Sequence, residues 1–218
     1  KKIKEIKKRK KVPILVGGTG LYFKALTEGL IEIPLIPSKF RNKIRSLHKS
    51  IGQQRFYKKL LKLDPLIFGK INSTDTQRSI RAYEVKLYTK KSVIEWYKNT
   101  KSNFKKNEFL KIYINYPRIE LIRKINLRTK RMVDIGAISE VKKFLKLRIS
   151  KNKSISKAIG VAEIKDFIKK KMVEEEVIEK ISIKTRQYAK RQATWARGHM
   201  KSWKKINPKR LNIFLKKI

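Results

Sequence analysis

The stretch PILVGGTGLYFKALTEGL, Pro13 to Leu30, constrains the fold more than any other part of this sequence. An apolar run, Val12–Val16, stops at Gly17-Gly18, and helix-forming residues follow at once. Aliphatic residues in so short a run, bounded by glycine, predict a buried strand. Paired glycines let the backbone turn sharply and let another group come close. Thr19 then predicts a cap for a helix running through Leu26, and Gly29 predicts its stop. Strand, glycine turn and helix in succession is the pattern of an α/β core. The free N–H groups and positive dipole end of such a helix favour phosphate. The spacing is not G-x-x-x-x-G-K-[ST], so the stretch is not itself a P-loop. A plain strand-to-helix connection fits the same residues.

Beyond this bend the chain reads mostly as helix. Residues 1–11 predict the end of a polar helix. Ile33-Pro34-Leu35-Ile36-Pro37 breaks the chain, Ser38 opens a helix to about Ser50, and Gly52 separates it from Gln53–Leu63. Asp64-Pro65 ends that helix. In NSTDTQRSIRAYEV, Thr74 and Gln77 fit a capping box for a helix to about Tyr88. The polar stretch Asn99–Asn107 reads as a loop, and Phe109–Ile114 as a second strand ended by Tyr116-Pro117. Helices are expected near 118–134, 137–147, 161–171 and 174–203. The expected layout is two strands of an α/β core, a helical segment inserted between them, and a helix-rich C-terminal half.

The 218 residues hold 59 Lys+Arg against 17 Asp+Glu, a formal charge of +42, with 40% hydrophobic residues. An excess of that size favours a polyanion as partner, nucleic acid before anionic membrane. AT-rich coding drift is the alternative source of the lysine excess, and the arginines fit that alternative less well. Without cysteine there are no disulfides and no thiolate metal sites. His48 and His199 stand far apart in sequence, and no His/Asp/Glu spacing suggests a metal cage. No apolar run reaches the ~18 residues of a membrane span.

Four constellations carry candidate chemistry. The first is Thr19 at the glycine bend. The second is Arg128. At about 100° per residue it shares a stripe with Leu121, Ile125 and Met132. A cation there either snorkels outward or meets a fixed anion. The third is the helix 174–203, with Val177, Ile181, Tyr188 and Trp195 on one face and Arg186, Lys190 and Arg197 nearly opposite. That face is either solvated or a track for RNA phosphates. The fourth is Gln77–Arg81. Gln77 and Arg81 share a face, while Ile80, Tyr83 and Leu87 make the apolar one. These residues suit RNA contacts, or a cap and an Arg81–Glu84 pair.

Taken together, PILVGGTGLYFKALTEGL, STDTQRSIRAYEV and TRQYAKRQATWARG resemble, in order and spacing, the bacterial tRNA dimethylallyltransferase family. RIELIRKINLRTKRMVDIGAISEVKKFL and ISKAIGVAEI fit it too, so the resemblance spans nearly the whole chain. It implies transfer of a dimethylallyl group from dimethylallyl diphosphate to N6 of adenine 37, beside the anticodon, in tRNAs reading codons that begin with U. It also implies Mg²⁺, a cytoplasmic location and a monomeric, nucleotide-binding, P-loop-NTPase-like α/β core. The core would be 1–33 with 106–218, and 34–105 a helical insertion gripping the anticodon stem-loop. The family's P-loop and the aspartate that orients the adenine amine belong upstream of the GGT strand. The sequence therefore reads as the C-terminal two-thirds of such an enzyme, and a tRNA-binding piece without activity of its own is the alternative.

Carried over residue by residue, the resemblance makes Thr19 the threonine beside the target adenine and Arg128 the arginine on the diphosphate. The glycines would clear room for the flipped base. Contacts to tRNA would come from Arg41, from Gln77, Arg78, Ser79, Ile80 and Arg81, and from Lys157, Ala158, Ile159 and Gly160. The last helix would add Lys190, Arg191, Gln192, Thr194, Trp195 and Arg197. After AIG the family often has an aromatic and a basic residue, where this chain has Val161 and Ala162. That contact is not carried over.

Overall fold

The computed structural model describes residues 2–98, 100–102, 104–150 and 153–216. Lys1, Asn99 and Asn103, on which the expected N-terminal helix and polar loop partly fall, lie outside them. The fold is helix-rich with a small parallel sheet. In chain order its elements are α1 (Lys2–Lys8), α2 (Gly20–Glu28), α3 (Ser38–Leu63), α4 (Thr76–Thr89), α5 (Val93–Lys98), β1 (Ile112–Ile114), α6 (Arg118–Met132), α7 (Ile138–Lys146), α8 (Val161–Ile168), α9 (Glu174–His199), β2 (Lys204–Ile206) and α10 (Leu211–Leu215). The chain divides into two compact units, residues 1–20 with 110–218, and residues 21–109.

In the unit 21–109, α3 and α4 enclose a core of Leu60, Ile67, Ala82, Val85 and Val93, with Phe56 fully buried. Gly52 breaks α3 as expected, at φ 74 and ψ 167, a conformation open essentially to glycine alone. The break lets Gln53 reach across: its side chain meets His48 Nε2 at 2.9 Å and donates to Ser79 Oγ at 3.2 Å. Pro65, with no N–H to give, follows the last residues of α3. The cap of α4 differs from expectation. Asp75, not Thr74, accepts from the backbone N–H of Arg78 at 3.0 Å, while Thr74 bonds to Asn72. A carboxylate is the stronger acceptor and suits the positive helix end. The short α5 was not foreseen.

In the other unit, α6 packs on α9 and α8 packs on α7 and α9. Val141, Ile164, Val177 and Ile181 form its core. A π-turn, Val133–Ala137 with Gly136 at φ 130, links α6 to α7. Three glutamates, Glu174–Glu176, open α9 at its positive end.

The strands depart most from expectation. Val12–Val16 forms no strand and is exposed rather than buried, with Val12 83% and Val16 90% exposed. A strand is a pairing rather than a composition, and no described backbone bonds to these residues. The run from Phe109 shrinks to β1. Its parallel partner is β2, in register Ile112↔Lys204 and Ile114↔Ile206. The helix expected to reach residue 203 ends at His199 to allow this strand. With two lysines and one apolar residue, KKI carries almost no strand signal.

Gly52→Ala forces a side chain into a backbone region it strongly disfavours although nothing crowds the position. A loss of ~1–3 kcal/mol is expected, read as a lower urea midpoint at constant m-value. An unchanged midpoint would show that the break relaxes without cost.

Candidate functional site

Around the glycine bend, backbone meets side chain closer than any other residue would allow. A Cβ on Gly18 would lie 2.3 Å from the amide nitrogen of Gln192, and one on Gly20 would lie 2.1 Å from the Trp195 ring. Both distances are below any real Cβ contact; the Gln192 amide ends a flexible side chain that can swing aside, but the Trp195 ring is rigid, so Gly20 is the condition for α9 to seat here. This corrects an expectation: the room beside Gly18 and Gly20 holds this chain's own Gln192 and Trp195. Thr19, between them, is exposed and makes no side-chain hydrogen bond among the described residues. Its hydroxyl is available to a ligand.

From this seat α9 projects an exposed ridge. Trp195 stacks flat on His199, ring centres 4.4 Å apart and 6° from parallel. His199 Nδ1 lies 3.1 Å from the Trp195 carbonyl, which can only accept, so the proton sits on Nδ1. Lys190, Arg191, Thr194 and Arg197 are exposed. Arg197 donates to Thr194 Oγ1 at 3.2 Å, and Arg191 lies over the Tyr188 ring at 5.6 Å. Gln187, Lys190, Arg191, Thr194, Trp195 and His199 line an open groove of about 540 Å³. No carboxylate pairs with Lys190, Arg191 or Arg197 among the described residues. The expected apolar face needs adjustment: Val177 and Ile181 are buried, but Tyr188 is 42% exposed, and Arg186 is half-buried rather than on the outer face.

Arg128 takes the outward of the two positions that the apolar stripe left open. The buried line of α6 is Ile125, Thr129 and Val133, and Arg128, one step around, is exposed. Thr129 takes the inward position because its hydroxyl donates to the Ile125 carbonyl at 2.9 Å, leaving no unsatisfied polar group. A guanidinium has no such local partner. Arg128 therefore faces solvent with no ion pair or hydrogen bond among the described residues.

The segment Lys157–Gly160 is anchored by a residue that sequence reasoning passed over. Lys157, Ala158 and Ile159 are exposed, while Gly160 is buried at φ 103, 3.4 Å from Ile181 at its would-be Cβ. Glu163, itself 4% exposed, accepts the Gly160 N–H at 3.0 Å and pairs with Lys184 of α9. Burial pushes the Glu163 carboxyl up. The Lys184 hydrogen bond and charge, with the Gly160 and Glu163 backbone N–H groups, outweigh this and hold it below its ordinary value of 4.5. The signal available in sequence was the glycine followed three residues later by Glu.

In the unit 21–109, Gln77, Arg78 and Arg81 are exposed, Ile80 is half-buried and Ser79 is fully buried. Ser79 donates to the Asp75 carbonyl at 2.7 Å, so it holds the helix start rather than meeting a ligand. Arg78 is tied to Asp75 at 3.0 Å. Arg41 and Arg81 turn to Glu84, at 3.3 and 3.5 Å. Glu84 lies on the inner side of α4 with Ala82 and Val85, whereas Ile80, Tyr83 and Leu87 of the expected apolar face are only half-buried. Among the described residues no three His, Asp or Glu gather to hold a metal ion, and no helix is long and apolar enough to cross a membrane.

The family model for IPP transferase matches residues 1–199. The chain belongs to the IPP transferase family. It is thereby one of the prenyltransferases of tRNA modification. It is 57% identical over 218 residues to the tRNA dimethylallyltransferase of Pelagibacter ubique, covering all of this chain and 70% of that protein. The Rickettsia massiliae tRNA dimethylallyltransferase is 40% identical over 200 residues, covering 91% of this chain but 55% of its own length. A full-length tRNA isopentenylpyrophosphate transferase from Bacillus halodurans superposes with TM-score 0.54 at 31% identity, over 94% of this chain and 63% of that one. A eukaryotic dimethylallyltransferase acting on tRNA superposes with TM-score 0.71 at 27% identity, over 89% and 50%.

Two outcomes test this geometry. In a Trp96→Phe/Trp203→Phe background, Gly20→Ala should displace the remaining indole of Trp195, shifting its emission and costing ~1–3 kcal/mol by overpacking. Unaltered emission and stability would mean that the seat is looser than the contact implies. Because the Glu163 pKa is depressed by folding, its contribution is present above about 4.5 and lost as pH falls through the folded value. Glu163→Gln should cost ~1–3 kcal/mol at neutral pH and flatten the acid limb of the stability–pH curve. A limb of unchanged steepness would remove Glu163 from that role.

Proposed function

We propose that this chain transfers a dimethylallyl group from dimethylallyl diphosphate to N6 of adenine 37 in tRNAs reading codons that begin with U. The observation that carries the reading is the seating of the motif YAKRQATW on the glycine bend. One unit thus joins a free Thr19 hydroxyl, an aromatic platform and an unpaired basic ridge. A basic ridge beside a flat aromatic pair suits RNA, whose phosphates it tracks and whose bases it stacks.

The chemistry is a substitution at the allylic carbon. N6 of adenine forms a bond to that carbon, the carbon–oxygen bond to diphosphate breaks, and N6 sheds one proton. The amine is a weak nucleophile because its lone pair is delocalised into the ring. Positive charge building on the allylic carbon is shared across the double bond. The protein then has two tasks, holding the reactants in line and stabilising the departing diphosphate. Thr19 would fix the adenine. Arg128, exposed and without an acidic partner among the described residues, would offer its planar fork to diphosphate oxygens. The base must leave its stack, at a cost of a few kcal/mol offset by contacts to the stem-loop. Those contacts would come from the ridge of α9, from Lys157–Ile159, and from Arg41, Gln77, Arg78 and Arg81 in the insertion 34–105. The fold class would be that of P-loop transferases, acting as a cytoplasmic monomer. Mg²⁺ is expected for the family, to be held by one or two carboxylates together with the donor's phosphates, and no step above depends on it.

Expressed from its own reading frame in a bacterium deleted for the enzyme, the protein should restore N6-isopentenyladenosine at position 37, detected by mass spectrometry of digested tRNA. Absence of the modification from a soluble, well-expressed protein would overturn the reading. Arg128→Ala should lower turnover by roughly a hundredfold, in the range of lost electrostatic contacts, with little change in tRNA affinity. Equal turnover at saturating donor would remove Arg128 from the diphosphate.

A further inference from the structure

We infer that Glu84 is a positioning residue that gathers Arg41, Arg45 and Arg81 into one phosphate-binding fork for the tRNA stem-loop. The inference rests on the function proposed above and adds a residue and a device to it. Glu84 sits on α4 with its side chain 1% exposed, and three guanidiniums from two helices converge on it. Arg41 and Arg45 come from α3, one turn apart, and Arg81 from α4 itself. The distances are 3.3 Å from Arg41 Nε, 3.7 Å from Arg45 Nε and 3.5 Å from Arg81 Nη1. The three arginine side chains remain 42%, 57% and 44% exposed, so each keeps one edge on the carboxylate and the rest in solvent.

A structural ion pair accounts for this poorly. Burying a carboxylate is costly, and a single well-aligned, bidentate guanidinium already neutralises its charge. Here a single negative charge holds three positive ones, leaving the cluster cationic at its surface. Arg41 and Arg45 engage through Nε, which leaves the terminal amino groups of both without a hydrogen-bond partner among the described residues and turns the forked end of each side chain to other acceptors. Nor are the bonds inward well aligned: Arg41 Nε and Glu84 Oε1 lack a hydrogen-bond partner by geometry among the described residues. The carboxylate thus restrains the arginines by charge without saturating them. What completes such a cluster is an acceptor with several oxygens and negative charge. Arg81 is four residues from exposed Gln77 on the same face of α4, so the fork continues the surface already assigned to RNA.

Positioning and bulk charge predict opposite signs. Removing an acid makes the protein more cationic, which alone would tighten RNA binding. If Glu84 instead holds the fork together, Glu84→Gln should weaken binding of an anticodon stem-loop by roughly five- to tenfold and flatten the dependence of affinity on salt, because fewer phosphates are neutralised at once. Glu84→Asp should recover part of the loss. In an Arg41→Gln/Arg45→Gln/Arg81→Gln background, Glu84→Gln should change nothing further. Should Glu84→Gln fail to fold, the wild type still decides: phenylglyoxal modification of Arg41, Arg45 and Arg81, mapped by mass spectrometry, should fall when stem-loop RNA is bound. A wild type that binds stem-loop RNA while these arginines stay equally reactive, or a folded Glu84→Gln that binds as tightly or tighter, overturns this inference alone. A wild type that binds no stem-loop RNA overturns the function and this inference together.

Discussion

The contact on which the site depends is the approach of α9 to the glycine bend. Gln192 and Trp195 lie against backbone where a single methyl group would collide. At Gly20 an added carbon would meet a rigid ring rather than the free end of a chain, so it could be accommodated only by displacing the indole. The bend therefore fixes the rotation of α9 about its own axis. That rotation decides which side chains of a 26-residue helix face outward as the ridge. It places Lys190, Arg191, Thr194 and Arg197 in solvent and draws Ala196 inside. Far along the same helix, Ile181 touches Gly160 and Lys184 holds Glu163, so the Lys157–Gly160 turn is oriented by the same body. Segments distant in sequence are thus brought into register by one helix.

How much of this was legible follows from what kind of information each feature carries. Helices announce themselves through local signals, and α3 with its break at Gly52, α4, and α6 through α9 were readable from spacing and punctuation. The specific motifs were readable as well, since they recur as strings. Strands were less so. Val12–Val16 has the composition of a strand without a described partner, and β2 has a partner without the composition. Pairing is a non-local property, and the two failures are the same failure seen from opposite sides. Arg128 shows the resolution limit of helical periodicity. A residue lies about 100° from its neighbour, so an argument that counts only apolar positions cannot tell whether Arg128 or Thr129 turns inward. The hydroxyl of threonine can satisfy itself on its own helix and the guanidinium cannot.

The acids tell the rest. In a chain with 59 basic and 17 acidic residues, repulsion among cations is the default, and an acid placed inside is a choice about which cations stand together. Three described carboxylates are buried, Asp64, Glu84 and Glu163, and two of them, Glu163 and Glu84, at 4% and 1% exposure, hold basic side chains. Their uses differ. Glu163 is satisfied twice, by a backbone N–H and a lysine, and its job is complete within the fold. Glu84 is surrounded three times over and still leaves donors facing out. Sequence reasoning weighed it only as the partner of Arg81, because the pair three residues apart is visible along one helix while the two arginines from α3 are not.

That contrast separates charge as composition from charge as structure. Lysine spread over a surface gives a diffuse field, useful for drawing RNA near and strongly weakened by salt. Arginines held by a shared buried carboxylate lose little further freedom when an anion arrives, because their orientation is already restrained. A diffuse field raises the rate of encounter, whereas a restrained fork selects the geometry of phosphates it accepts. A tRNA-modifying chain needs both, since it must find a stem-loop among many polyanions and then hold one base in line with a donor. The lysine excess serves the first need without any particular lysine mattering, and the arginines gathered at Glu84 serve the second because their places are specified.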